Sequence, residues 1–327
     1  MGDVILEKLT DIKGIKIGNA QDLNAGTGCT VILCEDGAVA GVDVRGGSPG
    51  TRETDLLDPR NIVSKIHAVI LAGGSAFGLD AASGVMQYLE EAGIGFDAAG
   101  TKVPVVCSAI LFDLNCGDYK VKPDKKQGYE ACLNAQYNEC SEGNIGAGTG
   151  ATIGKIKGFD YAMKGGLGTY CIRAGELLVG AIVAVNCMGD VFDSETGRII
   201  AGVLNDDKET LGNTEKIMVD NYANIEGIHW GNTTIGVVIT NAQMSKSEAN
   251  KLATMAHDGY ARAIKPSHAI FDGDTIFSMS TNQVKADISV VGLLAAKAME
   301  KAIIRGIKSA DSCHGYKAFK ELNKVFI

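Results

Sequence analysis

An α+β fold of stacked sheets, with helices on their outer faces, is predicted by two patterns in the sequence. Short apolar runs with strand spacing recur beside longer segments of helical periodicity, so sheet and helix share a core. A hairpin signal early in the chain adds antiparallel pairing, which a purely parallel sheet would lack. At 327 residues, 46% of them apolar, the chain can bury one large core or two smaller ones. Its 42 glycines against 5 prolines, spread throughout, suit tight strand-to-helix turns.

The elements follow in order. Residues 30–35 and 38–44 read as a hairpin about Asp36-Gly37. A polar, glycine-rich loop, 45–55, is either a surface turn or a site wall. Residues 67–72 form a short apolar strand broken by Gly73-Gly74-Ser75, and 77–92 have helical spacing. A strand-like run at 103–114 leads into a polar stretch, 117–143, and then a glycine-rich segment ending in Gly154-Lys155. Residues 177–186 are a long apolar strand, and 203–230 read as a linker rich in Asp, Asn and Lys. Thr233 opens a strand to 242, and Ser245-Lys246-Ser247-Glu248 is a capping box starting a helix to about 264. A last strand, 275–281, and a last helix, 287–307, complete the chain.

Composition removes several classes of function. The net charge is -8 with pI ≈ 5.2, and the densest basic run, Lys120-Val121-Lys122-Pro123-Asp124-Lys125-Lys126, reads as a solvated loop. Nucleic acid and anionic membranes are therefore not expected partners. No apolar run approaches a membrane span, and Met1-Gly2-Asp3-Val4 lacks the features of a signal peptide, so the cytoplasm is the expected compartment. The nine cysteines contain no C-x-x-C pair and read as reduced core residues; the five histidines form no H-x-x-x-H pattern. No metal or cofactor is expected.

Four local patterns could carry chemistry. The Gly146/Gly148/Gly150 run fails the phosphate-loop spacing, because Thr149 and Ile156 stand where Gly and Ser or Thr are needed; it is a close-packed turn or a device that delivers Lys155 to a site. Ser75 lies at a strand-to-helix turn, but Phe77 replaces the glycine of a nucleophile elbow, so helix N-capping is expected. Asn186, at the end of an apolar strand, is a turn residue or an oxyanion donor. Asp272-Gly273-Asp274 reads as an ordinary turn or a cation site. Thr233 adds a fifth possibility: a Thr at the start of a buried strand becomes a strong nucleophile if the preceding bond is cut, because the new α-amine lies beside its hydroxyl.

Several long motifs in fixed order carry a resemblance over nearly the whole chain: Val44-Arg45-Gly46-Gly47-Ser48-Pro49-Gly50-Thr51-Arg52-Glu53-Thr54-Asp55, Leu71-Ala72-Gly73-Gly74-Ser75-Ala76-Phe77-Gly78-Leu79, Gly146-Ala147-Gly148-Thr149-Gly150, Gly231-Asn232-Thr233-Thr234 and Phe271-Asp272-Gly273-Asp274-Thr275. With these the chain resembles peptidase family S58, the group of L-aminopeptidase/D-amidase-esterases, β-peptidyl aminopeptidases and nylon-oligomer (6-aminohexanoate) endo-hydrolases.

The resemblance implies a four-layer αββα sandwich like that of N-terminal-nucleophile hydrolases, with different strand connectivity. It further implies self-cleavage of the Asn232–Thr233 bond into an α chain, 1–232, and a β chain, 233–327, within a single domain. Thr233 then matches the family nucleophile, Lys155 the active-site lysine, Asn186 the oxyanion-side asparagine, and Asp272 and Asp274 the acidic pair. Implied too are small peptide or amide substrates, with 6-aminohexanoate oligomers as one candidate class, and a homo-oligomer of four or more αβ units. The chain departs from the pattern at Phe112, where some members carry Tyr. The rival readings are a Ser75-dependent hydrolase without self-cleavage and a non-catalytic binding protein of the same fold.

Overall fold

The computed structural model describes residues 5–137, 140–223 and 231–322. The opening Met1-Gly2-Asp3-Val4, part of the polar stretch 117–143 and the end of the 203–230 linker lie outside the described residues. The main elements run β1 (Ile5–Glu7), β2 (Lys16–Asp22), β3 (Thr27–Val44), β4 (Thr51–Arg52), β5 (Ile66–Ala72), α1 (Ala81–Glu91), β6 (Val106–Ile110), α2 (Lys125–Asn134), β7 (Gly166–Ala174), β8 (Leu177–Val185), β9 (Ile235–Ala242), α3 (Lys246–Ala263), β10 (Thr275–Val284) and α4 (Ile288–Ser309).

Where a hairpin is expected at 30–44, the chain runs on as one long strand, β3, shared by two sheets. Its first half pairs antiparallel with β2 and β5, its second half with β10. The register shifts between Leu33 and Ala38, and Gly37 absorbs the irregularity at φ +78°. Folding back on itself would cost each half its longer partner. One sheet continues β3-β10-β9-β8-β7-β1 and the other β3-β5-β6-β4, with parallel pairs at β9/β10 and β5/β6.

Alternation along the strands sets the layers. Ile32, Val69 and Leu71 of one sheet meet Ile182, Val237, Ile239 and Phe277 of the other in a shared core. The opposite faces are covered by helices. Val179, Ala181, Val183 and Val238 face α3 and α4, while Val31, Leu33, Ala68 and Ile70 face α1 and α2. The result is an αββα sandwich. Burying each such Val, Leu or Ile contributes roughly 1.5–3 kcal/mol, and a charge at Val237 would be stranded between two sheets with no solvent to reach.

Local sequence explains the helices. The Ser245 hydroxyl accepts from the Glu248 N–H, and the Glu248 carboxylate accepts from the Ser245 N–H at 2.7 Å, so the capping box forms as the sequence predicts. α2 lies unforeseen within the polar stretch, with Asp124 as its N-cap. Gly84 and Gly128 let it close on α1, since a Cβ at either would stand 1.9 Å from a carbonyl of the other helix. The expected N-cap at Ser75 does not form: Gly74 precedes the 3-10 turn Ser75–Asp80, and Ser75 itself is at φ +54°. Among the described residues no helix is long and apolar enough to cross a membrane.

Candidate active site

The central strands converge on one place. β9 and β10 pair in parallel, and an isolated bridge between Asn232 and Asp272 extends that pairing beyond their N-terminal ends. β8, antiparallel to β9, ends there and hands over to Asn186. The glycine run leads to Lys155, whose N–H donates to the Met188 carbonyl at 3.0 Å. Thr233, Lys155, Asn186, Asp272 and Asp274 are thereby gathered into one buried cluster around the Asn232–Thr233 junction.

Lys155 and Asn186 embrace the backbone before the Thr. The Lys155 ammonium donates to the Asn186 carbonyl and side-chain oxygen, each at 3.0 Å, and to the Gly231 carbonyl at 2.9 Å. The Asn186 amide donates to the carbonyls of Phe112 at 3.1 Å and Gly231 at 3.2 Å. Its carbonyl in turn accepts the Thr233 N–H at 3.0 Å, so Lys155 and the Thr233 nitrogen share one acceptor. Gly231, at φ +119°, lies against the Phe112 ring, leaving no room for a Cβ. Phe112 stacks on Phe159 with centroids 6.3 Å apart; here the aromatic face serves packing, and its backbone carbonyl does the polar work.

On the other side, the acidic pair is held by backbone. Asp274 accepts the Thr234 N–H at 2.8 Å and both the N–H and Nδ1 of His268, at 3.1 and 2.9 Å. Asp272 accepts the Ala269 N–H at 2.7 Å, and its second oxygen is buried with no hydrogen-bond partner among the described residues. The loop after β3 closes over both: Ser48 N–H donates to the Asp272 carbonyl at 2.9 Å and Arg45 N–H to the Asp274 carbonyl at 3.0 Å. Of the two sequence readings of this loop, these contacts fit a wall to the cluster better than a free surface turn.

Gly273, which the sequence reading passed over as the middle of a turn, donates its N–H to the Asn232 carbonyl at 2.9 Å. The Thr233 hydroxyl donates to that same carbonyl oxygen. A Cβ at Gly273 would stand 2.7 Å from Thr233 Oγ1 and 2.8 Å from the Ser48 carbonyl. His268 was likewise missed as a partner of Asp274, because its role depends on a loop at φ +59° rather than on spacing. A Gly flanked by two Asp beside a candidate nucleophile was the available signal for the first.

Burial controls the electrostatics. Loss of water around Lys155 drives its pKa down to about 7. Burial, and then the Asp274 charge, raise Asp272 to about 8. Proton-accepting groups near neutrality, a hydroxyl on a carbonyl, and an N–H aimed at that carbonyl oxygen are the components of acyl transfer. The rival serine has no such company: among the described residues no hydrogen bond joins the Ser75 hydroxyl to a His or a carboxylate, and its N–H is spent on the Leu111 carbonyl at 3.0 Å.

The fold is that of N-terminal-nucleophile hydrolases in a variant form. The L-aminopeptidase D-Ala-esterase/amidase of Ochrobactrum anthropi, described as a new variant among that fold, superposes with a TM-score of 0.72 at 17% identity, over 96% of this chain and 90% of its own. The chain belongs to peptidase family S58, whose model matches residues 7–320. It is 39% identical to an uncharacterized aminopeptidase of Mycobacterium leprae (strain TN), over 95% of this chain and 92% of the relative. It is 30% identical to the 6-aminohexanoate-oligomer endohydrolase of Kocuria sp. (strain KY2), over 91% and 85%. The protein is an amide-bond hydrolase.

Proposed function

We propose that the chain is a self-processing N-terminal-threonine hydrolase that cuts amide bonds of small peptides or peptide-like oligomers, 6-aminohexanoate oligomers among them. The observation that carries this reading is the Asn232 carbonyl, which receives both the Thr233 hydroxyl and the Gly273 N–H. In processing, Thr233 Oγ1 bonds to the Asn232 carbonyl carbon while its proton passes to a neighbouring base; the C–N bond to Thr233 breaks and the nitrogen takes up a proton. Water then hydrolyses the ester, leaving Asn232 as a carboxylate and Thr233 with a free α-amine and hydroxyl. Gly273 N–H is aimed at the oxygen that becomes the oxyanion.

In the mature enzyme the substrate carbonyl takes the place of the Asn232 carbonyl. The Thr233 amine, held by the Asn186 carbonyl, accepts the hydroxyl proton as an acyl-enzyme forms, and water releases the acid. The Asn186 amide, which now holds Gly231, then has a donor free for a second carbonyl of the substrate. A Lys155 cation favours the neutral amine, while Asp272 and Asp274 favour and orient its charged form. The site lies at strand ends inside a sandwich, which suits short substrates; assembly into a homo-oligomer of αβ units and a cytoplasmic setting complete the proposal.

A denaturing gel of freshly purified protein tests it. Fragments 1–232 and 233–327 are expected from the wild type, and one inactive full-length band from Thr233→Ala. Cleavage at 232 in that variant would remove Thr233 as the attacking group.

A further inference from the structure

Outside the Thr233 cluster, a second group of reactive side chains comes together that neither processing nor hydrolysis uses. Cys116 follows the segment that carries Phe112 and Asp113, and Cys313 and His314 lie beyond α4. One ligand atom from each of the three falls within 4.8 Å of the others. The two sulfurs thus face one another across less than 4.8 Å. Nearly 200 residues separate Cys116 from Cys313, so no spacing motif could have announced the group.

We propose that Cys116, Cys313 and His314 form a binding site for a borderline-soft divalent cation of the zinc class. Two thiols and an imidazole are a donor set such a cation selects. In a tetrahedral site with Zn–S near 2.3 Å the ligand atoms stand about 3.7 Å apart, so the three groups need to close by about 1 Å at most. Binding would release the two thiol protons as two metal–sulfur bonds form.

The surroundings are arranged as outer ligands usually are. Nε2 of His314 lies 2.9 Å from the Leu23 carbonyl, which can only accept. Nε2 therefore carries a proton, so that in the neutral imidazole the lone pair is on Nδ1. Asn144 Nδ2 donates to Cys313 Sγ at 3.4 Å, an interaction that favours a thiolate. The ligands are also held in place beforehand. Cys313 and Tyr316 close a two-residue turn with bonds of 3.2 and 2.9 Å, His314 and Gly315 taking φ +50° and +85°. The Tyr316 hydroxyl accepts from Asn115 Nδ2 at 2.8 Å and donates to the Asn115 carbonyl at 3.1 Å, fastening that turn beside Cys116.

Cys116 is buried, Cys313 half-buried and His314 exposed. The fourth position thus faces solvent, open to water or an exogenous ligand. If the chain is processed at 232, Cys116 belongs to one fragment and the other two ligands to the second, so the cation would clamp the fragments together.

The test is a cobalt(II) titration of reduced, chelator-treated full-length protein. One equivalent should bind with a thiolate-to-cobalt charge-transfer band in the near ultraviolet, and zinc should displace it. Cys313→Ser should abolish the band, and His314→Gln should weaken binding by more than the roughly 10–100-fold that loss of an outer partner costs. Both positions are at least partly exposed, and melting curves of the metal-free variants would show that they fold. Thr233→Ala should bind as the wild type does, which separates this site from processing. Absence of the band in the wild type, or its survival in Cys313→Ser, overturns the proposal.

Discussion

In the proposed reaction, Gly273 is the residue on which the geometry turns. Its N–H points at the Asn232 oxygen, and the space where a side chain would begin is already taken by Thr233 Oγ1 and the Ser48 carbonyl. Gly273→Ala should force one of these apart and slow processing by about the 10²–10³ that loss of an oxyanion donor costs; a time course of band conversion measures it, and conversion at the wild-type rate would refute the role. Lys155 makes a different claim, on stability. Its pKa is about 7 in the folded chain against an ordinary 10.5, so the native state binds this proton less tightly than the unfolded one. The stability it withholds is fully absent below about pH 7 and returns as pH rises toward 10.5. The Tm difference of Lys155→Met over wild type should therefore favour the variant most near about pH 6 and shrink toward about pH 10, while processing fails. A difference flat with pH would contradict a buried, proton-poor lysine.

At the scale of elements, the Asp272-Gly273-Asp274 segment works because three backbones meet there: β9 in parallel, the 45–48 loop above, and the 268–269 turn below. Asp274 uses its carboxylate on Thr234 N–H and on two groups of His268, so an Asn would present a donor where only acceptors fit. Asp274→Asn should slow both processing and turnover by a large factor, read on the gel and by kcat on a small amide. The same elements show what a sequence can tell. β8, β9, α3 and α4 were legible because their apolar periods are strong and the capping box at Ser245 is local. β3 was misread because Asp36-Gly37 marks a bulge as readily as a turn, and which it becomes depends on β10, more than 230 residues away. α2 was hidden in a polar stretch because its burial rests on glycines facing another helix. Lys155 and Asn186 stood as open local readings until the resemblance singled them out; Gly273 was signalled by its two flanking Asp residues, though the direction of its N–H was not, and the His268 contact with Asp274 depends on a loop conformation that no residue pattern encodes.

Over the whole molecule, the interleaving of strands makes cleavage and cohesion compatible. β9 sits between β8 and β10, and β10 between β9 and β3, so a cut before Thr233 leaves the second fragment woven into a sheet of the first. The fragments should co-elute under native conditions and melt in one transition, parting only in denaturant; separation in plain buffer would contradict that weave. In the proposed mechanism the cut also supplies the base. A free α-amine has an ordinary pKa of about 7.7–8.0, and protonation removes its capacity to take the hydroxyl proton, so kcat/KM should fall as pH drops through that value in the free enzyme. Lys155 at about 7 and Asp272 at about 8 titrate in the same window, so the limb alone does not name the amine. Selective acylation of the Thr233 amine does: it should abolish activity while leaving both side chains intact, and Thr233→Ser, with the same amine and a hydroxyl, should keep the limb. Burial pushes His257 down to about 4, so a limb displaced to that range would assign the base to His257 instead, and full activity with the amine acylated would end the N-terminal-nucleophile reading.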